Sequence, residues 1–291
     1  MQELIREYYT LEDGTKVPKI GFGCYNPRKQ DYVTIIKTAI DAGYRYFDTA
    51  SLYETERDLA RALKESGIDR KEVQIASKAW YDELGYEETK AAFNRTLERL
   101  ETDYLDFYML HWPKASEDDP DWKEKDRGAW KALTELKKAG KIRHIGTSNF
   151  LPHHLENLEK TTDCAVELDQ LELHIGYSQE LAREYCQKQG ILVQAWGPLG
   201  RGRMNDNRII QDMAAKYGKT FSQIAIRFLL QKGIMPIPKA STREHMVDNA
   251  NVFDFELSTE DMWMLSCMPQ ETWQGEHPDF AVPKKASNPL Q

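Results

Sequence analysis

At 291 residues, with a net charge of −8 and a pI near 5.5, the chain is long enough to bury a large core but offers no basic face for nucleic acid. Its four cysteines (Cys24, Cys164, Cys186, Cys267) are scattered with no Cys-x-x-Cys pair, which gives no zinc framework and fits a reducing compartment. The opening Met-Gln-Glu-Leu-Ile-Arg-Glu is charged too early for a signal peptide, and no run of about 18 apolar residues predicts a membrane span, so a soluble cytoplasmic protein is expected.

Asp13-Gly14 between two β-prone runs predicts an N-terminal hairpin. Apolar β-like runs follow at 19–24, 44–48, 73–79, 104–111, 142–147, 164–171, 191–196 and 234–238. Helical patterns separate them: DYVTIIKTAIDAG, ERDLARALKESG, YEETKAAFNRTLERLE, RGAWKALTELKKAG, LPHHLENLEK, SQELAREYCQKQG and FSQIAIRFLLQKG. Several stop at Gly, the residue that most easily takes the left-handed conformation ending a helix. Strand and helix alternating eight times predict an α/β chain with every strand covered by a helix. A closed (β/α)8 TIM barrel with an N-terminal β-hairpin satisfies that pattern, with 1–291 as a single domain. The tail from Trp273 onward reads as a loop across one barrel face.

Chemistry in such barrels sits at the C-terminal ends of the strands. Those ends carry Asp48, Lys78, His111, Ser148-Asn149, Gln170, Trp196 with a Gly-rich turn, and Lys239, while Tyr53 stands in the loop after the second strand. Taken singly, each has a plain reading: Asp48 as a helix cap, Tyr53 or Lys78 as surface, His111 as a satisfied polar group. Together on one rim they suit proton transfer to a carbonyl. A phenol with a pKa near 10 is a poor acid, and a nearby ammonium from Lys78 is expected to lower it, with Asp48 holding that ammonium in place. His111 would donate to the oxygen that Tyr53 protonates, where charge develops as hydride arrives.

The stretches GYRYFDTASLYETE, SKAW, YLDFYMLHWP, IGTSNF, DQLELH, WGPLG and IPKASTREHMVDN, in this order and spacing, resemble the successive signatures of the aldo-keto reductases, from the hairpin to about residue 280. The resemblance implies a (β/α)8 barrel that interconverts small-molecule carbonyls and alcohols with NADP(H), most simply as a monomer, with no nucleic-acid or membrane partner. It places the catalytic tetrad on Asp48, Tyr53, Lys78 and His111. It implies that Ser148, Asn149 and Gln170 hold the nicotinamide carboxamide and that Trp196 stacks on the ring where the family has a tyrosine. Gly197, Pro198, Leu199 and Gly200 would let backbone approach the pyrophosphate. Further cofactor contacts fall on Gly23, Cys24, Asp48, Pro238, Lys239, Ala240, Ser241, Thr242, His245, Asp248 and Asn249. Tyr25, Trp80, His111 and Trp112 match the substrate pocket. No metal is implied.

Four departures stand out. Thr55 replaces the usual Asn, a local change. Asp169 replaces an Asn beside Gln170, with Ile175 where Pro follows the His, and would add charge near the nicotinamide. Tyr25 replaces a Trp, opening the pocket and adding a hydroxyl. At the 2′-phosphate, the family's Lys-Ser-x-x-x-x-Arg becomes Lys239-Ala240 through His245. An imidazole lacks the bidentate grip of a guanidinium, so NADP(H) is expected with a weakened preference over NAD(H). Three other readings compete. Tyr86 and Lys90 have the Tyr-x-x-x-Lys spacing of short-chain dehydrogenases, but Gly21-x-Gly23 lacks the third glycine. A metal hydrolase would need grouped ligands, but His153-His154 lies on a helix, and His144 and His174 are not grouped with carboxylates in ligand spacing. A non-catalytic nicotinamide-binding barrel, serving as redox sensor or regulatory subunit, remains the alternative.

Overall fold

The computed structural model describes residues 5, 7–25, 30–280 and 283. The first residues, read above against a signal peptide, and the end of the tail lie outside these, apart from Ile5, Glu7 and Pro283. A hairpin, β1 (Tyr8–Thr10) and β2 (Lys16–Pro18), precedes eight parallel strands. These are β3 (Phe22–Gly23), β4 (Tyr46–Asp48), β5 (Gln74–Ala79), β6 (Leu105–Leu110), β7 (Ile142–Ser148), β8 (Leu168–Glu172), β9 (Leu192–Trp196) and β10 (Met235–Pro236). Each pairs with its sequence neighbour, in the order β3 to β10. The two ends then meet: Gly21 N–H donates to Pro236 O and Gly23 N–H to Pro238 O, both at 3.1 Å. The sheet is therefore a closed barrel. Glycine lets this seam close: a Cβ at Gly21 would lie 2.8 Å from the Tyr46 ring and force a shift, and one at Gly23 would sit tightly, 3.3 Å from Ile237 O.

Ten helices cover the strands and their loops among the described residues: α1 (Tyr32–Asp41), α2 (Glu56–Ser66), α3 (Tyr86–Leu100), α4 (Trp122–Lys138), α5 (Pro152–Glu159), α6 (Glu180–Lys188), α7 (Arg208–Tyr217), α8 (Phe221–Gln231), α9 (Arg243–Ala250) and α10 (Thr259–Ser266). Their starts follow local chemistry. The Asp31 side chain accepts from Thr34 N–H, and Thr220 and Gln223 cap α8 reciprocally. Three features differ from the sequence reading. The α7, α9 and α10 helices fall outside the expected helical patterns, α4 begins at Trp122, ahead of the pattern that opens at Arg127, and β8 pairs only from Leu168.

The apolar core is layered. Tyr46, Ala76, Phe107, Met109, Leu168, Met235 and Ile237 fill the barrel, and Val17 of the hairpin joins them. The hairpin closes the N-terminal mouth: Tyr9 Oη donates to Ile234 O, and Lys16 O accepts from Gln74 Nε2 at the start of β5. The opposite mouth is left for chemistry.

Candidate active site at the C-terminal rim

Asp48 closes β4, and the next residues turn at once. Tyr53 N–H bonds to Ala50 O at 3.0 Å in a single 3₁₀ turn, Ser51–Tyr53, which ends at Glu54 in the left-handed region (φ +59°). Ser51 Oγ and the backbone N–H of Trp80 both donate to Glu83 Oε2, so this turn is fastened to the loop after β5. The tyrosine is thereby held on the rim beside the carboxylate.

Lys78 is fully buried, and its Nζ donates to both Asp48 oxygens at 2.7 Å and to Thr49 O at 3.1 Å. The same ammonium lies 5.0 Å from the centre of the Tyr53 ring. Tyr53 Oη meets His111 Nε2 at 3.5 Å. Tyr25 packs on Tyr53 with ring centres 5.1 Å apart, and Trp80 packs edge-on against His111 at 4.7 Å. Trp112 follows, buried.

Burial, reinforced by the Lys78 charge, holds His111 well below the usual imidazole range, so the ring is neutral. Burial also lowers Lys78, while Asp48 counters it. Tyr53 departs from expectation. Its pKa lies well above that of a free phenol, first because protein crowds water from the hydroxyl and then because Asp48 is near. The Lys78 ammonium, expected from the sequence to pull the phenol down, is already shared by two carboxylate oxygens and a carbonyl.

A second network adjoins the first. Gln170 Nε2 donates to Asp48 Oδ1 (2.9 Å) and Gln194 Oε1 (3.1 Å), and Gln194 Nε2 donates to Tyr46 Oη (2.8 Å). Ser148 Oγ donates to Gln170 O. Asn149, at φ +63°, donates to His111 O and Ser148 Oγ and accepts from Trp196 Nε1 at 2.8 Å. Sequence reasoning missed Gln194, although it sits two residues before Trp196 on the same strand and therefore on the same face.

The remaining expected residues spread along the rim from there. Gly197 and Gly200 both have positive φ, and Pro198 and Leu199 complete that turn. Cys24 is fully buried, its thiol directed at Phe22 O, and its N–H bonds to Asp48 O. Beyond β10, Lys239 is half-buried, Ala240 buried, and Ser241, Thr242 and His245 exposed. Ser241 Oγ donates to Gln30, and Thr242 Oγ1 accepts the His245 N–H at the start of α9. On that helix Asp248 is half-buried and Asn249 buried.

Two departures from the family pattern find defined partners, the first locally and the second away from the expected side. Thr55 is buried and pairs with Thr49 through their hydroxyls at 3.0 Å. Asp169 does not add charge to the nicotinamide side. Neighbouring strand residues face opposite ways, so with Gln170 turned inward Asp169 points to the helix layer. There it accepts from Thr147 Oγ1 at 2.9 Å and meets Cys186 of α6, and burial pushes its pKa up to about 7.

The tail crosses this rim. Arg203 Nη1 donates to Thr272 O and Trp273 O, Gln274 N–H donates to Glu172 Oε1, and Asp279 reaches His153, His154 and Lys114. His153, His154 and Asp279 are the one group among the described residues with metal-ligand spacing, assembled by the tail and therefore invisible in sequence spacing. His154 Nδ1 accepts the Leu151 N–H, which leaves the ring proton on Nε2, the atom that faces Asp279. A neutral His154 thus has no lone pair there for a cation.

A closed parallel barrel with an ion pair, a tyrosine and a neutral histidine on its C-terminal rim defines a barrel enzyme. Residues 19–266 match the model of the aldo/keto reductase family, and the chain belongs to that family. It is an oxidoreductase of carbonyl compounds. It is 40% identical to a glyoxal reductase of Bacillus subtilis (strain 168), over 96% of this chain and 99% of that protein. It is 34% identical to the methylglyoxal reductase DkgA of Escherichia coli (strain K12), over 92% and 96%. Among solved structures, an aldo/keto reductase from Brucella melitensis superposes with a TM-score of 0.82 at 34% identity, covering 89% of this chain and 98% of that one. A Bombyx mori aldo-keto reductase in complex with NADP gives 0.84 at 26%, covering 94% and 98%. Among the described residues no helix is long and apolar enough to cross a membrane.

Proposed function

We propose that this chain reduces small aldehydes and ketones to alcohols with NADP(H), that Tyr53 is the proton donor, and that short dicarbonyls of the glyoxal and methylglyoxal type are its first candidate substrates. The observation that carries the reading is the fully buried Lys78–Asp48 pair set beside the Tyr53–His111 contact on one rim. The names of the Bacillus and Escherichia relatives supply the substrate class, and the Bombyx neighbour supplies the cofactor.

The residues fit a nicotinamide dinucleotide. Trp196 is half-exposed with its indole N–H fixed by Asn149, and the Gly197–Gly200 turn presents backbone without side chains at its two ends. When bound, the nicotinamide supplies hydride to the carbonyl carbon. The chain's own work is on oxygen. A carbonyl oxygen between Tyr53 Oη and His111 Nε2 receives two donors, and the neutral imidazole gives a hydrogen bond without competing as an acid. The raised phenol pKa keeps Tyr53 protonated at rest. As the phenol gives up its proton, the nearby Lys78 ammonium steadies the oxygen charge left on Tyr53, and Asp48 keeps that cation fixed. Tyr25, Trp80 and Trp112 form the apolar walls that hold the substrate.

For cofactor choice, Lys239 stays near the proposed 2′-phosphate position, while Ala240 offers no hydroxyl and His245 is exposed. NADPH is accepted with a reduced preference over NADH. Following cofactor absorbance at 340 nm with glyoxal, methylglyoxal and simple aldehydes tests both points. Consumption of NADPH that depends on the carbonyl supports the reading. Binding of cofactor with no carbonyl consumed would favour a regulatory barrel. A preference for NADPH above roughly a thousandfold, about 4 kcal/mol, would overturn the weakened grip.

A further inference from the structure

The tail residue Gln274 lies in an irregular segment that is tied down by its backbone. Its backbone N–H donates to Glu172 Oε1 at 3.1 Å, and the two residues before it are held by Arg203, which donates to both of their carbonyls. Its side-chain amide, by contrast, is buried at both polar atoms, and neither Nε2 nor Oε1 has a hydrogen-bond partner among the described residues. Nε2 lies 3.8 Å from where a Cβ on Gly197 would stand, so the donor end of the amide faces the Gly197–Gly200 turn.

That turn is short of donors of its own. Pro198 has no N–H, and the Gly200 N–H is already given to Gly197 O at 2.8 Å. That leaves at most the Gly197 and Leu199 N–H groups for an anion lying on it, so a side-chain donor beside the turn adds to the grip. Buried amides are rarely left unmade in folded proteins, because each orphaned polar atom costs stability that only a bound partner returns.

We propose that Gln274 is a cofactor-binding residue: its side-chain amide donates to the pyrophosphate bridge of the dinucleotide lying on the Gly197–Gly200 turn. The inference rests on the dinucleotide reading above. It makes the C-terminal tail, which crosses the rim, part of the cofactor site. Cofactor binding and the seating of the tail are then linked through one amide.

Fluorescence titration of the full chain with NADP⁺ and with adenosine 2′-monophosphate, which lacks both phosphates of the bridge, provides the test. Gln274→Ala should weaken NADP⁺ about tenfold, the size of one hydrogen bond to a charged acceptor, and leave the monophosphate unchanged. Gln274→Glu, which sets an anion beside the phosphates, should weaken NADP⁺ further. Gln274→Lys, a donor of similar reach, should restore it. Without cofactor, Gln274→Ala should melt no lower than wild type, since it removes an unsatisfied group. NADP⁺ affinity within twofold of wild type in Gln274→Ala, or an equal loss for both ligands, would overturn the proposal while the dinucleotide reading stood. A wild-type chain that bound neither ligand would overturn both.

Discussion

The two ends of the barrel differ in degree in how they treat their buried polar groups: Gln74 Oε1 and Tyr104 Oη lack a partner among the described residues at the N-terminal end, and more such atoms gather at the C-terminal end, around the fully partnered Asp48. At the N-terminal end, carboxylates are saturated. Asp106 accepts from Ile75 N–H, Arg70 and Arg143, and Glu167 accepts from His144, Lys137 and Ile145 N–H. At the C-terminal end His111 Nδ1, Trp80 Nε1, Glu172 Oε2 and the Gln274 amide have no partner among the described residues. Saturated networks hold a fold in one arrangement, whereas unsatisfied groups are held open for a ligand. The difference separates stability from function along a single axis, as barrels of this kind commonly do.

Four substitutions bear on that division. At the open end, Tyr53→Phe should lower kcat by about 10²–10⁴, the usual worth of general acid catalysis, with NADP⁺ affinity and melting temperature near wild type. Near-normal kcat in a stopped-flow or steady-state assay would remove Tyr53 as the acid. At the closed end, Asp106→Ala should cost about 3 kcal/mol of stability in a urea melt, because two guanidinium groups and a backbone N–H lose their shared acceptor. Its kcat should stay within about twofold of wild type, and a large loss of activity without a loss of stability would blur the separation of the two ends.

Asp169 lies outside the barrel wall and tests the boundary by pH. Burial raises its pKa to about 7, above the ordinary carboxylate range. The native state therefore keeps a proton that the unfolded chain loses near pH 4. The associated stability is full below that value and is lost as pH rises through about 7. Asp169→Asn should gain melting temperature relative to wild type as pH increases from 4 to 8, with kcat unchanged. A flat difference across that range would mean that burial does not tune this carboxyl. The smallest expected effect is at the rim near α9. His245→Arg should raise the preference for NADPH over NADH about tenfold, or 1.4 kcal/mol, by adding a guanidinium near the 2′-phosphate position.

Much of this was legible in the sequence because strand ends are places that alternation can mark. Asp48, Lys78 and His111 each stop or follow an apolar run, and the barrel order brings those stops onto one rim. The α7 helix was hidden because the Gly- and Asn-rich stretch RGRMNDN masks its start, where Asn207 caps Ile209 and Ile210. The α9 and α10 helices carry no strong apolar stripe, so periodicity gave little sign of them. The tail contacts were beyond reach for another reason. Gln274 is fixed by Glu172 and Asp279 by His153, pairs more than a hundred residues apart that no local pattern encodes. The direction of the Tyr53 pKa depends on how tightly the rim closes over the hydroxyl, which residue types alone do not determine. Asp169 is the instructive miss. The rule that placed Gln170 inside also placed its neighbour outside.

The seam between Gly21–Gly23 and Pro236–Pro238 joins the first barrel strand to the last. During synthesis the edge of β3 stays unpaired until nearly the whole chain has emerged, and any fragment ending before β10 exposes two bare strand edges, each a template for sticking to another chain. Truncated forms should aggregate rather than fold, and renaturation should show a slow final step set by this long-range zipper.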